Sequence, residues 1–150
     1  MLAMPPLGSF VSFVVCWFLP KTVCFTTSMP KQFPRTTLAR FDATKYLYIR
    51  SGGHRFIPIW VVVVDSRVIV RSWNDKAGGW YRAFLAHPSG AVRFEADEVA
   101  VRAVRVRSSR LKDGADAAYA AKYTTKANAK YVVGLKSPKR KAATLELVPA

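Results

Sequence analysis

Acidic residues are scarce in this chain. Nine Asp and Glu stand against 24 Lys and Arg among 150 residues, a formal charge of +15. A field of that sign favours anionic partners, and charge alone does not choose among nucleic acid, a membrane surface and a phosphorylated ligand. Cysteine is nearly absent. Cys16 and Cys24 both lie in the first 24 residues, so everything downstream has neither a disulfide framework nor thiol chemistry. Histidine is limited to His54 and His87. No HxxxH or CxxC spacing accompanies them, and no metal site is expected. Neither histidine has an evident nucleophile, so Ser-His-Asp hydrolysis is unsupported and both read as polar loop residues. The phosphate-cradling signatures GxxxxGK[ST] and GxGxxG are also missing, which removes the P-loop and Rossmann readings.

Long apolar runs are missing too. FVSFVVCWFL, residues 10–19, is too short for a bilayer, which needs about 20 residues, so no stable membrane span is expected. It resembles the apolar core of a signal peptide, yet no Lys or Arg precedes it and no clear small-x-small site follows. Three readings stand: a weak secretory or anchor signal, a targeting extension, or translated sequence upstream of a start at Met29. The missing charge pattern favours the last, with residues 1–28 outside the fold and the protein cytoplasmic.

What is present is enough for one domain. Half the residues are hydrophobic and the mean hydropathy is +0.07, which excludes a fully disordered chain. A short helix is expected after Pro34, capped by Thr36 or Thr37, with Leu38 and Phe41 on one face. YLYIR reads as a strand ending at Ser51-Gly52-Gly53. FIPIWVVVV and VIVRSW around Asp65-Ser66-Arg67 read as a hairpin. Val61–Val64 does not alternate, which predicts a central strand buried on both faces. Pro58 marks a strand end or bulge. Trp80 and Phe84, then Tyr81 and Leu85, have helical spacing, and His87-Pro88-Ser89-Gly90 stops that helix. AVRFEA and VAVRAVRVR read as strands, the second with a bulge near Ala103. Asp113 reads as the cap of a helix over 114–123. Lys126–Lys130 is a basic patch, SPKRK a basic turn and ATLEL a last strand. The sum is five or six strands with two or three short helices, a small β-barrel with helical caps.

The segment RSWNDKAGGWYR carries the functional expectation. A helix start leaves backbone N–H groups unpaired and holds partial positive charge. Gly78 and Gly79 admit a ligand to them without Cβ interference. Arg71, Lys76 and Arg82 add charge and Ser72 a hydroxyl, a set that suits a phosphate. Trp60, Trp73, Trp80 and Tyr81 offer flat faces, which suits a phosphorylated ring. The competing reading is an ordinary basic loop with core aromatics. A nucleic-acid module is a further alternative, resting on Arg102, Arg105, Arg107, Lys126, Lys130, Lys139, Arg140 and Lys141. The lack of aromatics interleaved with those arginines makes nucleic acid the weaker partner.

GHRFIPIWVVVVDSRVIVRSW, AGGWYRAFLAHPSGAV, DAAYAAKYTTKANAKYVVG and KAATLELVP resemble the domain-of-unknown-function 2255 family over 33–149. More distantly, the PIW strand, the hairpin, the small-residue turn, the WY helix and HPSGAV resemble the deazaflavin-dependent nitroreductases and the pyridoxamine phosphate oxidase-like split barrels. That resemblance implies a mainly β, α+β split β-barrel of the flavin-reductase type. It implies FMN or an 8-hydroxy-5-deazaflavin as cofactor and hydride transfer to a small-molecule substrate. Carried over by position, Arg71, Ser72, Trp73, Lys76, Gly78, Gly79, Trp80, Tyr81 and Arg82 would grip the phosphate end, and Pro58, Ile59 and Trp60 would line the ring. Proteins of that fold often form homodimers with the cofactor at or near the interface. One departure is Asp75, a carboxylate beside the expected phosphate. No catalytic acid is assigned.

Overall fold

A computed structural model describes residues 31–150, which form seven strands and five helices. The expectation for residues 1–28 lies outside the described residues. In chain order the elements are α1 (Arg35–Ala43), β1 (Leu47–Ser51), β2 (Ile57–Ile59), β3 (Val61–Val64) and β4 (Arg67–Arg71). There follow α2 (Trp80–Ala86), β5 (Ser89–Phe94), β6 (Asp97–Arg105), α3 (Ser109–Lys122), α4 (Lys126–Leu135), α5 (Pro138–Ala142) and β7 (Thr144–Pro149).

All strands pair antiparallel in one sheet of order β2-β1-β5-β6-β7-β4-β3. The order begins with β2 and ends with β3, and those two strands are joined by a single residue, Trp60. The sheet therefore curls almost into a barrel and stays open at that seam: a split β-barrel of the α+β class. The interior is filled from several strands. Leu47, Ile49, Val61, Val68, Val70, Val92, Val101, Leu145 and Leu147 belong to one buried cluster, completed by Leu38 and Phe41 of α1 and Phe84 of α2. Burying a side chain of that kind contributes roughly 1.5–3 kcal/mol.

The β3–β4–β7 side is covered twice. Val62 and Ile69 point outward, away from the barrel interior, into a second cluster with Leu111, Ala115 and Tyr119 of α3 and Val132 and Leu135 of α4. This double burial is why Val61 to Val64 shows no alternation, as expected. The expected central position is corrected, because β3 ends the hydrogen-bonded order and helices, not strands, cover its flank. The hairpin turn is tight: Asp65 and Ser66 both take positive φ, 50° and 61°, a type I′ pair that matches strand twist without glycine. Gly90 is required elsewhere, since a Cβ there would lie 2.2 Å from the Arg50 carbonyl on β1 and 2.8 Å from the Phe84 ring.

Several local expectations are corrected. Phe56–Val64 is two strands, not one, because the chain turns at Trp60. No bulge interrupts β6 at Ala103. Its pairing is continuous, with Val101 and Ala103 inward and Arg102 and Val104 outward, and Val106 keeps the outward phase where it joins the cluster under α3. The cap of α3 is Ser108, whose hydroxyl accepts from Leu111 N–H, so Asp113 lies inside the helix. The Lys126–Lys130 patch opens α4, and SPKRK is the short helix α5 with Pro138 in its first turn, where a missing N–H costs nothing. Pro34, not Thr36 or Thr37, precedes α1.

Candidate functional site: an aromatic cleft at the barrel seam

A cleft of about 390 Å³ opens where β2 and β3 part. Ile57, Pro58, Ile59 and Trp60 form one wall, directly from the seam, and Tyr46 extends it. Trp73 and Trp80 line it as well. Helix α4 roofs it with Asn128, Tyr131 and Leu135, spaced three and four apart so that they share one face. Such a volume, mostly apolar with a few polar groups, falls in the range of small-molecule sites.

The aromatic walls hold one another in place. Trp60 stacks on Tyr123 with centroids 4.1 Å apart and planes 7° from parallel. The Tyr123 hydroxyl accepts from Val61 N–H at 3.1 Å and donates to the Lys45 carbonyl at 2.8 Å, tying the end of α3 to β3 and to the segment before β1. Burial pushes that phenol up to about 12. Trp73 meets Tyr131 edge-on at 5.2 Å, and the Arg140 guanidinium lies 3.6 Å from its ring. Arg140 also donates to the Trp73 and Gly134 carbonyls. Gly134 is what lets Trp73 come so close, since a Cβ there would sit 2.5 Å from its ring.

At the base lies Arg71, whose side chain is 0% exposed. It donates to the Asp116 carboxylate, to the Leu135 carbonyl at 3.0 Å, to the Lys112 carbonyl at 3.1 Å and to Thr144 Oγ1 at 2.9 Å. Asp116 is also met by Lys141 Nζ at 2.8 Å. Burial alone would raise the Asp116 carboxyl, but hydrogen bonds from Lys141 and Arg71 outweigh it and hold it below the usual carboxylate range. The Tyr119 hydroxyl beside this cluster is fully buried without a partner among the described residues, and burial raises it.

The residues expected to act together divide into two groups. Pro58, Ile59, Trp60, Arg71, Trp73 and Trp80 meet in the cleft. Ser72, Lys76, Gly78, Gly79, Tyr81 and Arg82 do not line it. Ser72 is buried and donates to the Asn74 carbonyl at 2.7 Å. Gly79 N–H is spent on the Lys76 carbonyl at 3.1 Å. Tyr81 is buried with its hydroxyl toward the Ala142 carbonyl. Arg82 is engaged by both oxygens of Asp75, and hydrogen bonding to that carboxylate raises its pKa. Asp75 thus answers an arginine in the first turn of the helix that follows its loop. Lys76 and Gly78 are exposed. Arg71 serves the protein's own carboxylate, so the expected cationic grip does not assemble around the α2 start. The sequence reading missed Tyr46, Ile57, Asn128, Tyr131 and Leu135. For α4 the signal was available, since Asn128, Tyr131 and Leu135 repeat at helical spacing, but its lysines drew attention instead.

Among the described residues no helix is long and apolar enough to cross a membrane, and no three His, Cys, Asp or Glu side chains gather as metal ligands. A small seam-opened barrel with helices over one flank and an aromatic cleft at the seam defines a protein of the split-barrel class. Residues 37–147 match the family described as uncharacterized protein conserved in bacteria, DUF2255, and the chain belongs to that family. None of the curated proteins matches. Among solved structures, the fold is similar to that of conserved hypothetical protein Rv2991 from Mycobacterium tuberculosis. The TM-score is 0.51 at 11% identity, with 79% of each chain covered.

Proposed function

We propose that the chain is a flavin- or deazaflavin-binding oxidoreductase whose cofactor ring, that of FMN or an 8-hydroxy-5-deazaflavin, lies in the seam cleft beside a small organic acceptor. The observation that carries this reading is the set of flat faces around one opening: Trp60, Trp73, Trp80, Tyr46 and Tyr131. Planar walls fit a planar ring system by offset and edge contacts. Polar edges find the Asn128 carboxamide, which lines the cleft. The phosphate end fits less well at α2, where Arg82 and the Gly79 N–H are already engaged. When bound, such a cofactor supplies the hydride chemistry. The chain's own residues hold the ring, fix its orientation and exclude water.

Ring binding is tested by titrating FMN and the deazaflavin into purified protein and following fluorescence quenching. Dissociation constants on the order of 10 µM or below, about −7 kcal/mol, are expected for at least one, weakened at least tenfold by Trp60→Ala. Failure of both to bind at that level overturns the reading.

A non-catalytic binder of a phosphorylated small ligand is the second reading. It is favoured by a lining without His, Asp or Glu. Turnover separates the two: mixing reduced cofactor and protein with a nitroaromatic acceptor accelerates cofactor oxidation only on the first.

A further inference from the structure

A second cavity of about 280 Å³ adjoins the first. Asn128 lines both, Lys45 of one precedes Tyr46 of the other in the chain, and the Trp60–Tyr123 stack forms the partition. The two differ in chemistry. The first is aromatic; the second presents Lys45, Lys122, Thr125, Asn128 and Asp42. Lys122 is half-buried, and two of its ammonium protons go to the Phe41 and Val61 carbonyls at 3.0 and 2.8 Å. An ammonium has three donors, so one remains. Lys45 has no acidic partner among the described residues, and the Thr125 hydroxyl does not cap α4. The Asn128 carboxamide, half-buried between the cavities, makes no hydrogen bond among the described residues. Two cations against one carboxylate, with a hydroxyl and an amide unspent, suit a phosphate or carboxylate more than a cation.

We propose that this second chamber is the subsite for the anionic tail of the ligand whose ring occupies the seam cleft, with Lys45 and Lys122 meeting the charge and Asn128 spanning the junction. The proposal rests on the ring reading for its full ligand, but the tail subsite stands or falls separately. It moves the phosphate from the α2 start, where Arg82 and the Gly79 N–H are engaged, to the chamber beyond the Trp60–Tyr123 stack.

Inorganic phosphate is the first probe. In backbone amide NMR spectra of the full chain, millimolar phosphate shifts the signals of Lys45 and of residues 122–128. Lys45→Met weakens that response several-fold. Asp42→Asn strengthens it, because a competing negative charge is gone. Amides that stay still under phosphate, or an unchanged response in both variants, overturn the tail subsite whatever flavins do. FMN and riboflavin, which share a ring and differ by the phosphate, are the second probe. FMN binds at least tenfold tighter, and Lys45→Met erases most of that margin while leaving riboflavin affinity unchanged. A margin that survives Lys45→Met and disappears in Lys76→Met returns the tail to α2 and overturns the proposal. Phosphate shifts without binding of either flavin retain the subsite and remove the ring reading instead. Lys122→Met is not the primary variant, because Lys122 also ties α1 to β3.

Discussion

Two arginine–aspartate pairs divide by whether they stand at the cleft or away from it. Arg71–Asp116 lies at the base of the cleft, and Arg82–Asp75 joins the first turn of α2 to the loop before it. Both are close ion pairs, and both arginines were expected to serve a ligand. Their surroundings separate them. The Arg71 side chain is 0% exposed and Asp116 14%, whereas Arg82 is 56% exposed and Asp75 28%. A pair in water gains little, because solvent screens it and two long side chains lose freedom. A buried pair is different: breaking it strands a charge away from water. The base pair therefore ties together β4, α3, α4 and β7, while the loop pair closes a surface turn. Pairing is common to both, and burial decides how much depends on it.

The largest effect comes from breaking the base pair on one side. Asp116→Ala leaves the Arg71 guanidinium buried without its carboxylate, and costs about 3–5 kcal/mol. A lower denaturant midpoint measures it. A loss below 1 kcal/mol would mean that water reaches Arg71.

The pH dependence of the same pair sharpens the contrast. The folded Asp116 pKa is lowered from the ordinary value of 3.8, so its stabilisation is present above that value. It is lost as pH falls through the lowered folded pKa. Asp116→Asn flattens that part of the acid limb of thermal stability. Arg82→Ala leaves it unchanged.

Between the extremes sits the seam. Tyr123→Phe removes the partner of the buried Val61 N–H and costs about 1–3 kcal/mol. The folded phenol is raised from 10 to about 12, so its stabilisation is full below pH 10 and is lost as pH rises toward 12. Tyr123→Phe removes that share of the alkaline loss, which a pH series of melting temperatures detects.

The smallest effect is expected in the loop. Arg82→Ala, or Asp75→Ala, changes stability by no more than about 1 kcal/mol. It leaves ring binding within twofold, since neither residue lines the cleft. A larger loss of affinity would return Arg82 to the site and undo the comparison.

The strands were readable because their side chains have one dominant neighbour, the barrel interior. Val92 and Val101 alternate with exposed neighbours, and the unbroken Val61–Val64 run announced its double burial. The α4 and α5 helices were hidden by composition. Lys126, Lys130, Lys139 and Lys141 read as a solvated patch and a turn, yet long side chains at helix surfaces extend their charge outward while the backbone folds beneath. The ring wall of the cleft was half legible, since Pro58, Ile59 and Trp60 are contiguous. Its roof was not, because Asn128 and Tyr131 lie some 70 residues away and reach the seam only through the packing of α4.

Period, turn chemistry and residue type alone determined that this chain forms a mainly β barrel with helical covers, since those choices are made between neighbours a few positions apart. Which cations remain free for a ligand was decided only in three dimensions. A charge's availability depends on the partners and solvent around it, and Arg71 met its carboxylate 45 positions away on another element.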